Sequence, residues 1–273
     1  MKKFAITLLL TVLAGCLVTV SAQNITIGAK GGFSIPNLTG GGSANPLNSG
    51  YSSRLGIGYG VYGEYHFTPL FSISVGAEYS SQGGQKDKLQ AFPVADFLLK
   101  VPQAYRSLVN NPSNQPYFYG DFKSVAKINY LLIPILAHFT VGLGEKSPFS
   151  VYLATGPFVG YLLNANQITS GSSKVYYDEL SISEVTMYNP LYSVNVPLET
   201  QSFDNTQNIK SQLHKFNVGI EGFLGVTYKI YSKHSVFIEG GGNFGFVPIQ
   251  QGNANGKNRT GAGTVSLGYA YTL

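Results

Sequence analysis

One stretch constrains the fold of this chain more than any other: residues 55–67, in which apolar side chains alternate with small or ionisable ones. The apolar residues, all at odd positions, are Leu55, Ile57, Tyr59, Val61, Tyr65 and Phe67. Successive side chains of a strand point to opposite faces, so one face of this stretch is apolar and aromatic. An ordinary strand has about 5–6 residues, whereas a tilted strand that crosses a bilayer needs about 9–11. The stretch therefore predicts a membrane-spanning strand, with Gly63 as a gap in its apolar face.

The same alternation recurs along the chain and predicts an all-β fold, an eight-stranded antiparallel up-and-down transmembrane β-barrel. The predicted strands lie at about 25–33, 55–67, 71–79, 126–141, 149–161, 216–228, 236–246 and 265–273. The connections between them alternate between short and long, and the long ones are 35–53, 83–124, 165–213 and 248–262. Short turns on one side and long loops on the other are typical of outer-membrane barrels, whose loops are extracellular. A soluble β-sandwich or lipocalin-like barrel is the alternative, but it would place its apolar face inside, and here glutamates lie opposite the aromatics.

Aromatic residues bracket the predicted lipid-facing surface. Phe149 to Tyr161 on one strand and Phe216 to Tyr228 on another are equal intervals. At about 3.3 Å per residue and about 40° of tilt, each interval spans roughly 30 Å, close to the height of the apolar band with its two aromatic girdles. We therefore predict two girdles, although aromatic residues also favour strands in general.

The fourth predicted strand changes phase at Pro134. Its apolar outward set is Ile128, Tyr130 and Leu132 before the proline, and the residues after it fit an outward set at odd positions. Proline cannot donate to a ladder, so a β-bulge at Pro134 is the expected solution. Such a bulge would turn His138 toward the lumen.

The N-terminus predicts a secretory signal peptide over residues 1–22, followed by the barrel domain over residues 23–273. Lys2 and Lys3 precede an apolar segment, and small residues lead to a cleavage site between Ala22 and Gln23. An alternative is a lipobox ending at Cys16, whose cysteine would be lipidated. If cleavage follows Ala22, the mature chain has no cysteine and forms no disulfide.

Composition argues against several functions. Charged residues make up 11% of the chain, well under the roughly 25% of soluble domains. The basic residues are scattered along an exported chain, so we predict no nucleic-acid partner. Four dispersed histidines form no metal-ligand motif, and we expect no metal, no cofactor and no catalytic residues.

Ionisable residues also fall on the predicted inward faces. An eight-stranded barrel is just wide enough inside for side chains to fill it, so buried charges there must pair. We predict a lumen ionic network of Lys30, Glu64, Glu78, Lys127, Glu221 and Glu239. A proton or ion path through the same residues is the alternative.

Several short motifs resemble those of a known family. Residues 130–134, read Tyr-Leu-Leu-Ile-Pro, resemble the YLxIP motif of PorT-like outer-membrane β-barrel proteins, and residues 154–162 and 28–33 also match in order. The motif residues are Tyr130, Ile133, Pro134, Gly156 and Pro157. The resemblance implies an eight-stranded barrel in the outer membrane of a Gram-negative bacterium. It implies little about activity, because the family is defined by its barrel.

We therefore expect a non-enzymatic protein surrounded by outer-membrane lipids. Its expected role is structural or one of interaction, either through the loops 83–124 and 165–213, which could bind an envelope protein, or as a subunit of an envelope assembly. A narrow passive pore for ions or small solutes is the second hypothesis, and an acyl-chain enzyme is the third. The sequence does not indicate an oligomeric state.

Overall fold

The computed structural model describes residues 24–40, 45–252 and 257–273. Cys16 and the predicted cleavage site between Ala22 and Gln23 lie outside these residues. The strands, in chain order, are β1 (Ile25–Thr39), β2 (Gly56–His66), β3 (Phe71–Pro93), β4 (Tyr117–Gly142), β5 (Phe149–Ser170), β6 (Ser172–Ser173), β7 (Thr186–Asn189), β8 (Val194–Pro197), β9 (Gln201–Ser202), β10 (Asn205–Asn208), β11 (Phe216–Tyr231), β12 (His234–Gly245) and β13 (Arg259–Thr272). One α-helix, α1 (Val94–Lys100), and the 3₁₀ helices Gln103–Leu108 and Lys210–Gln212 complete the described elements. None of the helices in the described ranges is long and apolar enough to span a membrane.

The strands β1–β5 and β11–β13 form a closed antiparallel ring, because β1 pairs with β2 on one side and with β13 on the other. This confirms the predicted eight-stranded barrel. Starting at Ile25 and following paired residues from strand to strand leads back to β1 at Ile35, ten residues further along. In a barrel of this strand number, that stagger corresponds to a strand tilt of about 40°. The connections 67–70, 143–148 and 232–233 lie at one end, which we call the turn end, and the long connections lie at the loop end.

The outer wall of the barrel is apolar and ends in aromatic pairs. Phe149 is paired with Tyr228 near the turn end, with ring centroids 4.9 Å apart. Toward the loop end of the same two strands, Tyr161 is paired with Phe216 at 5.4 Å. The equal intervals seen in the sequence therefore become two aromatic contacts at the two edges of one apolar band.

The phase predicted for the fourth strand is wrong in its first half. Ile128, Tyr130 and Leu132 are buried inside the barrel, not exposed on its wall. The register of β4 with β5 stays constant through Pro134, and the bulge lies instead between Asn129 and Tyr130. Pro134 is accommodated because the ladder between β3 and β4 skips the positions opposite it, so no inserted residue is needed. His138 faces the lumen, as predicted, but without a change of phase.

Large inward side chains are accommodated by glycines on the neighbouring strand. Tyr62 lies beside Gly28, Tyr152 beside Gly225 and Phe237 beside Gly268, and each pair is directly opposite in the register. A Cβ atom added to any of these glycines would overlap the paired ring. Ring and glycine together thus fill the narrow lumen, which is why close approach at these positions requires glycine.

The long connections are more regular than the sequence suggests. Strands β3 and β4 remain paired as far as Pro93 and Tyr117, and β4 and β5 as far as Lys123 and Ser170. Much of the predicted loop 83–124, and the start of the loop 165–213, is therefore continuous strand. These strand extensions, with the connections 94–116 and 171–215, form a unit at the loop end that we call the head.

Candidate functional site

Lys30 anchors an ionic cluster in the middle of the lumen. Its Nζ lies 2.9 Å from Oε1 of Glu239 and 3.0 Å from Oε1 of Glu78. The ammonium also lies 4.1 Å from the ring centroid of Phe223. The hydroxyl of Tyr152 donates to Oε2 of Glu239 at 2.7 Å. The four polar side chains of this cluster, those of Lys30, Glu78, Glu239 and Tyr152, come from four different strands. The cluster therefore links the barrel wall across the lumen.

The other predicted members of the network make no ion pair with Lys30 among the described residues. Glu221 is 2% exposed, and neither of its carboxylate oxygens has a hydrogen-bond partner within the described residues. Glu64 accepts a hydrogen bond from Ser72 and lies 3.8 Å from His66. Lys127 was wrongly assigned to the lumen: it is an odd-numbered residue of β4, and its side chain is exposed outside the barrel. The error follows from the misread phase of that strand.

A polar cavity of about 190 Å³ lies between the cluster and the turn end. Nε2 of His138 lies 2.8 Å from Oγ of Ser74, a pair that sequence reasoning missed. Nε2 of His66 lies 2.9 Å from Oγ1 of Thr26. Both histidines face the lumen by strand phase, which is the signal that could have pointed to these pairs. In the described chain no carboxylate bonds Nδ1 of His138, so the pair lacks the third group that orients a catalytic histidine.

Apolar side chains fill one side of the lumen above the ionic cluster. We call the buried set of Ile128, Tyr130, Leu132, Phe158 and Leu162 the apolar seal. Its members are at most 4% exposed, and they come from β4 and β5. Further apolar residues from the loop end pack on the apolar seal, among them Leu38, Leu213 and Ile249. On the opposite wall at this height, Nε2 of buried Gln82 donates to Oδ1 of Asn243 at 2.9 Å, so apolar and amide side chains together fill this part of the narrow lumen.

The motif residues from the sequence lie at and around this seal. Tyr130 belongs to it, and Pro134 is fully buried on the same inward face. Ile133 is 40% exposed on the outer wall. Gly156 allows β4 and β5 to approach closely, because an added Cβ would overlap the backbone of Ile135. Pro157 faces outward on β5 and is paired with Ile220. The motif therefore stabilises the junction of two strands, and none of its residues lines the polar cavity except Pro134.

The head has a hydrophobic core of its own. Phe118 and Phe122 from β4 pack with residues of α1 and of the connection 171–215, and the buried members are Val94, Phe97, Phe118, Phe122, Val175, Val185 and Phe203. The rings of Phe122 and Phe203 are stacked with centroids 4.3 Å apart. Between α1 and the segment around Phe203 lies an open apolar pocket of about 600 Å³. Residues of α1 thus form one wall of a packed unit.

Two hairpin tips of the head expose large apolar side chains. At the first tip, Leu180 and Ile182 are 77% and 74% exposed, and at the second, Leu191 and Tyr192 are 87% and 75% exposed. The carboxylate of Asp178 accepts backbone hydrogen bonds from residues 180, 182 and 183 and so fixes the first tip. These bonds lower the pKa of Asp178. The apolar side chains of this tip are therefore presented by an ordered turn.

A second cavity, which we call the vestibule, lies between the apolar seal and the head core. Its volume is about 540 Å³. Tyr51 and Lys86 form one wall, where Nζ of Lys86 donates to the carbonyl oxygens of Leu47 at 2.8 Å and of Pro46 at 3.4 Å. The same Nζ lies 4.6 Å from the ring centroid of Tyr51. Burial lowers the pKa of Lys86 to about 8. Its ammonium thus holds the connection between β1 and β2 against the head by hydrogen bonds.

No metal site appears in the described ranges, where no three histidine, aspartate, glutamate or cysteine side chains are grouped to hold an ion.

Comparison with known proteins gives one family. The family model described as "outer membrane protein beta-barrel domain" matches residues 21–251. A search of curated proteins by sequence finds no match.

Three solved structures show the range of similarity. Neisserial surface protein A from Neisseria is 11% identical, with 92% of this chain and 97% of that chain covered and a TM-score of 0.37. The attachment invasion locus protein Ail of Yersinia pestis is 9% identical, with 90% and 98% covered and a TM-score of 0.35. The outer membrane protein OprG of Pseudomonas aeruginosa is 13% identical, with 90% and 94% covered and a TM-score of 0.36.

Proposed function

The chain belongs to the outer membrane protein beta-barrel domain family, and on that premise we propose that it is a non-enzymatic interaction protein of the outer membrane. The barrel anchors the chain in outer-membrane lipid, and the head binds a partner outside the cell. The observation that carries this proposal is the ordered head, with its own core and its exposed apolar tips. Exposed apolar groups on a folded unit outside the bilayer are typical of binding surfaces.

The lumen supports the interaction role over the alternative of a passive pore. The ionic cluster around Lys30 and the packed side chains above it, both apolar ones and amides, fill the lumen of the barrel. An acyl-chain enzyme would need an activated nucleophile, and the pair of Ser74 and His138 has no orienting carboxylate among the described contacts. We propose that the partner belongs to the cell envelope, as in a PorT-like assembly. On this proposal, the motif residues Tyr130 and Pro134 have a structural role in the barrel and no catalytic role.

Site-specific photo-crosslinking in native membranes tests the interaction role. A photoreactive residue at Leu191 or at Ile182 is expected to give discrete protein adducts, because both side chains are exposed on the head. Leu55 is the matched control, since it is 70% exposed on the lipid-facing wall and should give lipid adducts alone. Absence of protein adducts at both head positions, together with ion conductance by the purified barrel in planar bilayers, would replace this proposal with the pore.

We also propose that cleavage after Ala22 leaves Gln23 as the first residue of the mature protein. Small residues before the predicted site support this position. Intact mass of the protein from membranes tests it. A lipid-modified chain that begins at Cys16 would show that the lipobox is used instead.

A further inference from the structure

The vestibule has an unusual lining for a cavity next to two hydrophobic clusters. Among the described residues, six amide side chains line it, those of Asn48, Gln90, Gln167, Gln207, Gln212 and Gln250. The hydroxyl-bearing residues Ser124, Thr169 and Tyr51 also contribute to its wall. An amide group both donates and accepts hydrogen bonds, and so does a hydroxyl group. The lining is therefore suited to a ligand that offers donors and acceptors together.

Part of this hydrogen-bonding capacity is unused. Nδ2 of Asn48 is buried without a hydrogen-bond partner in the described part of the chain, although Asn48 is only 6% exposed. The exposed side chains of Gln207 and Gln212 and the hydroxyl of Tyr51 also make no hydrogen bond among the described residues, so they are free to bond a ligand in the vestibule. Nδ2 of Asn48 is not accessible from the cavity, so the groups available to a ligand are those of Gln207, Gln212 and Tyr51. In contrast, Gln90 and Gln167 are held by bonds to the carbonyl of Phe122 and to Ser124, which makes that wall rigid.

Charge is scarce in the vestibule. Its charged side chains are Lys86 and Asp96. The ammonium of Lys86 is already engaged by the carbonyl oxygens of Pro46 and Leu47, so it is not free to bind an anion. A highly charged ligand would have to be desolvated without compensation, which is costly. The cavity therefore favours an uncharged ligand.

Aromatic rings form flat apolar surfaces between the amides. Tyr51, Phe92 and Phe122 all line the vestibule, and the centroids of Phe92 and Phe122 are 6.1 Å apart. A sugar ring has apolar C–H faces and a rim of hydroxyl groups, so aromatic walls and neutral amides match its two kinds of surface. The volume of about 540 Å³ lies within the range of roughly 300–1,000 Å³ of small-molecule sites.

We propose that the vestibule binds an uncharged, hydroxyl-rich ligand, a short neutral oligosaccharide. The proposal rests on the proposed function in that it gives the head a ligand class. It concerns a cavity, however, and not the hairpin tips probed by crosslinking. Loss of the tip contacts would therefore leave saccharide binding intact, and the two ideas fail separately.

The test uses the full chain in a detergent without a sugar head group, such as lauryldimethylamine oxide. The probes are maltotriose, cellotriose, mannotriose and N-acetylchitotriose, titrated by calorimetry and by NMR of glutamine side-chain amides. Saturable binding of at least one neutral probe is expected, with Gln212→Leu weakening it by about tenfold, because each lost hydrogen bond to a desolvated partner is worth about that much. Gln103→Leu is the matched control, since Gln103 is exposed on a 3₁₀ helix and does not line the vestibule.

A second variant guards against indirect effects. Tyr51→Phe keeps the ring under Lys86 and removes the unbonded hydroxyl, so it should weaken binding without lowering the melting temperature. Three results would overturn the proposal: no saturable binding of any of the four probes, equal loss of affinity in the Gln103→Leu control, or preference for a sulfated or uronic-acid trisaccharide over its neutral counterpart.

Discussion

Lys30 of β1 and Glu239 of β12 form an ion pair of 2.9 Å across the lumen, although the strands that carry them are not neighbours in the ring. The ion pair bridges over β13, and Lys30 extends it to Glu78 of β3. The barrel closes where β13 pairs with β1, and Lys30 thereby links β12 on one side of this closure to β1 and β3 on the other. The side chains of these residues are 5–14% exposed, so the interaction is largely shielded from water.

Lys30→Ala is expected to lower the free energy of unfolding by about 3–5 kcal/mol, because it leaves two buried carboxylates without their cation. Lys174→Ala removes an exposed ion pair to Glu184 in the head and should have a much smaller effect. Urea unfolding in lipid vesicles measures both. Neither variant should conduct ions, since the remaining side chains still fill a barrel this narrow. Equal stability of the two variants, or a conducting Lys30→Ala barrel, would contradict this account of the lumen.

Glu221→Gln is expected to leave the stability unchanged or to raise it. Among the described residues the buried carboxylate of Glu221 has no hydrogen bond and no ion pair, and the neutral amide that replaces it costs less to desolvate. Glu239→Gln is the comparison, because it weakens bonds to both Lys30 and Tyr152 and should cost about 1.5–3 kcal/mol. The same unfolding measurement decides. A larger loss in Glu221→Gln than in Glu239→Gln would show that Glu221 holds a partner of its own.

Gly268→Ala is expected to destabilise the barrel by about 1–3 kcal/mol, because the added methyl overlaps the ring of Phe237. Gly63→Ala is the matched control on the lipid-facing side, where an added Cβ meets nothing within 4 Å. Combining Gly268→Ala with Phe237→Leu should restore part of the loss by making room. Destabilisation by Gly63→Ala of the same size would argue against the pairing of rings with glycines.

Lys86 predicts a pH dependence of the head. Burial lowers the pKa of Lys86 from 10.5 to about 8, so above pH 8 the unfolded chain binds more protons at this residue than the folded protein does. Its contribution to stability should therefore rise between about pH 8 and pH 10.5 and be constant below that window. Lys86→Met keeps an apolar stem without the charge, so it should reduce the dependence of the free energy of unfolding on pH in this window. An unchanged pH profile in Lys86→Met would assign the dependence to other groups.

Much of the barrel could be predicted from residue order alone. The lipid requires apolar side chains on every second residue of each spanning strand, so the phase of β2, with Ile57, Tyr59 and Val61 outward, can be read directly. The same reasoning failed on β4 because both of its faces are apolar. Ile128 and Leu132 point inward while Ile133 and Ile135 point outward, and no alternation distinguishes the two sets.

The tertiary structure alone decided which residues meet. The inward position of Lys30 follows from strand phase, but its contacts with Glu78 and Glu239 depend on the stagger of ten residues around the closed ring. The vestibule depends on contacts between segments that are further apart in the sequence, since Asn48, Gln90 and Gln212 come from three different connections and strand ends. The alternation of apolar and polar side chains along a strand reflects only its local surroundings, lipid on one face and the lumen on the other. Contacts across the lumen and within the head are set by register and ring closure, which no local pattern encodes.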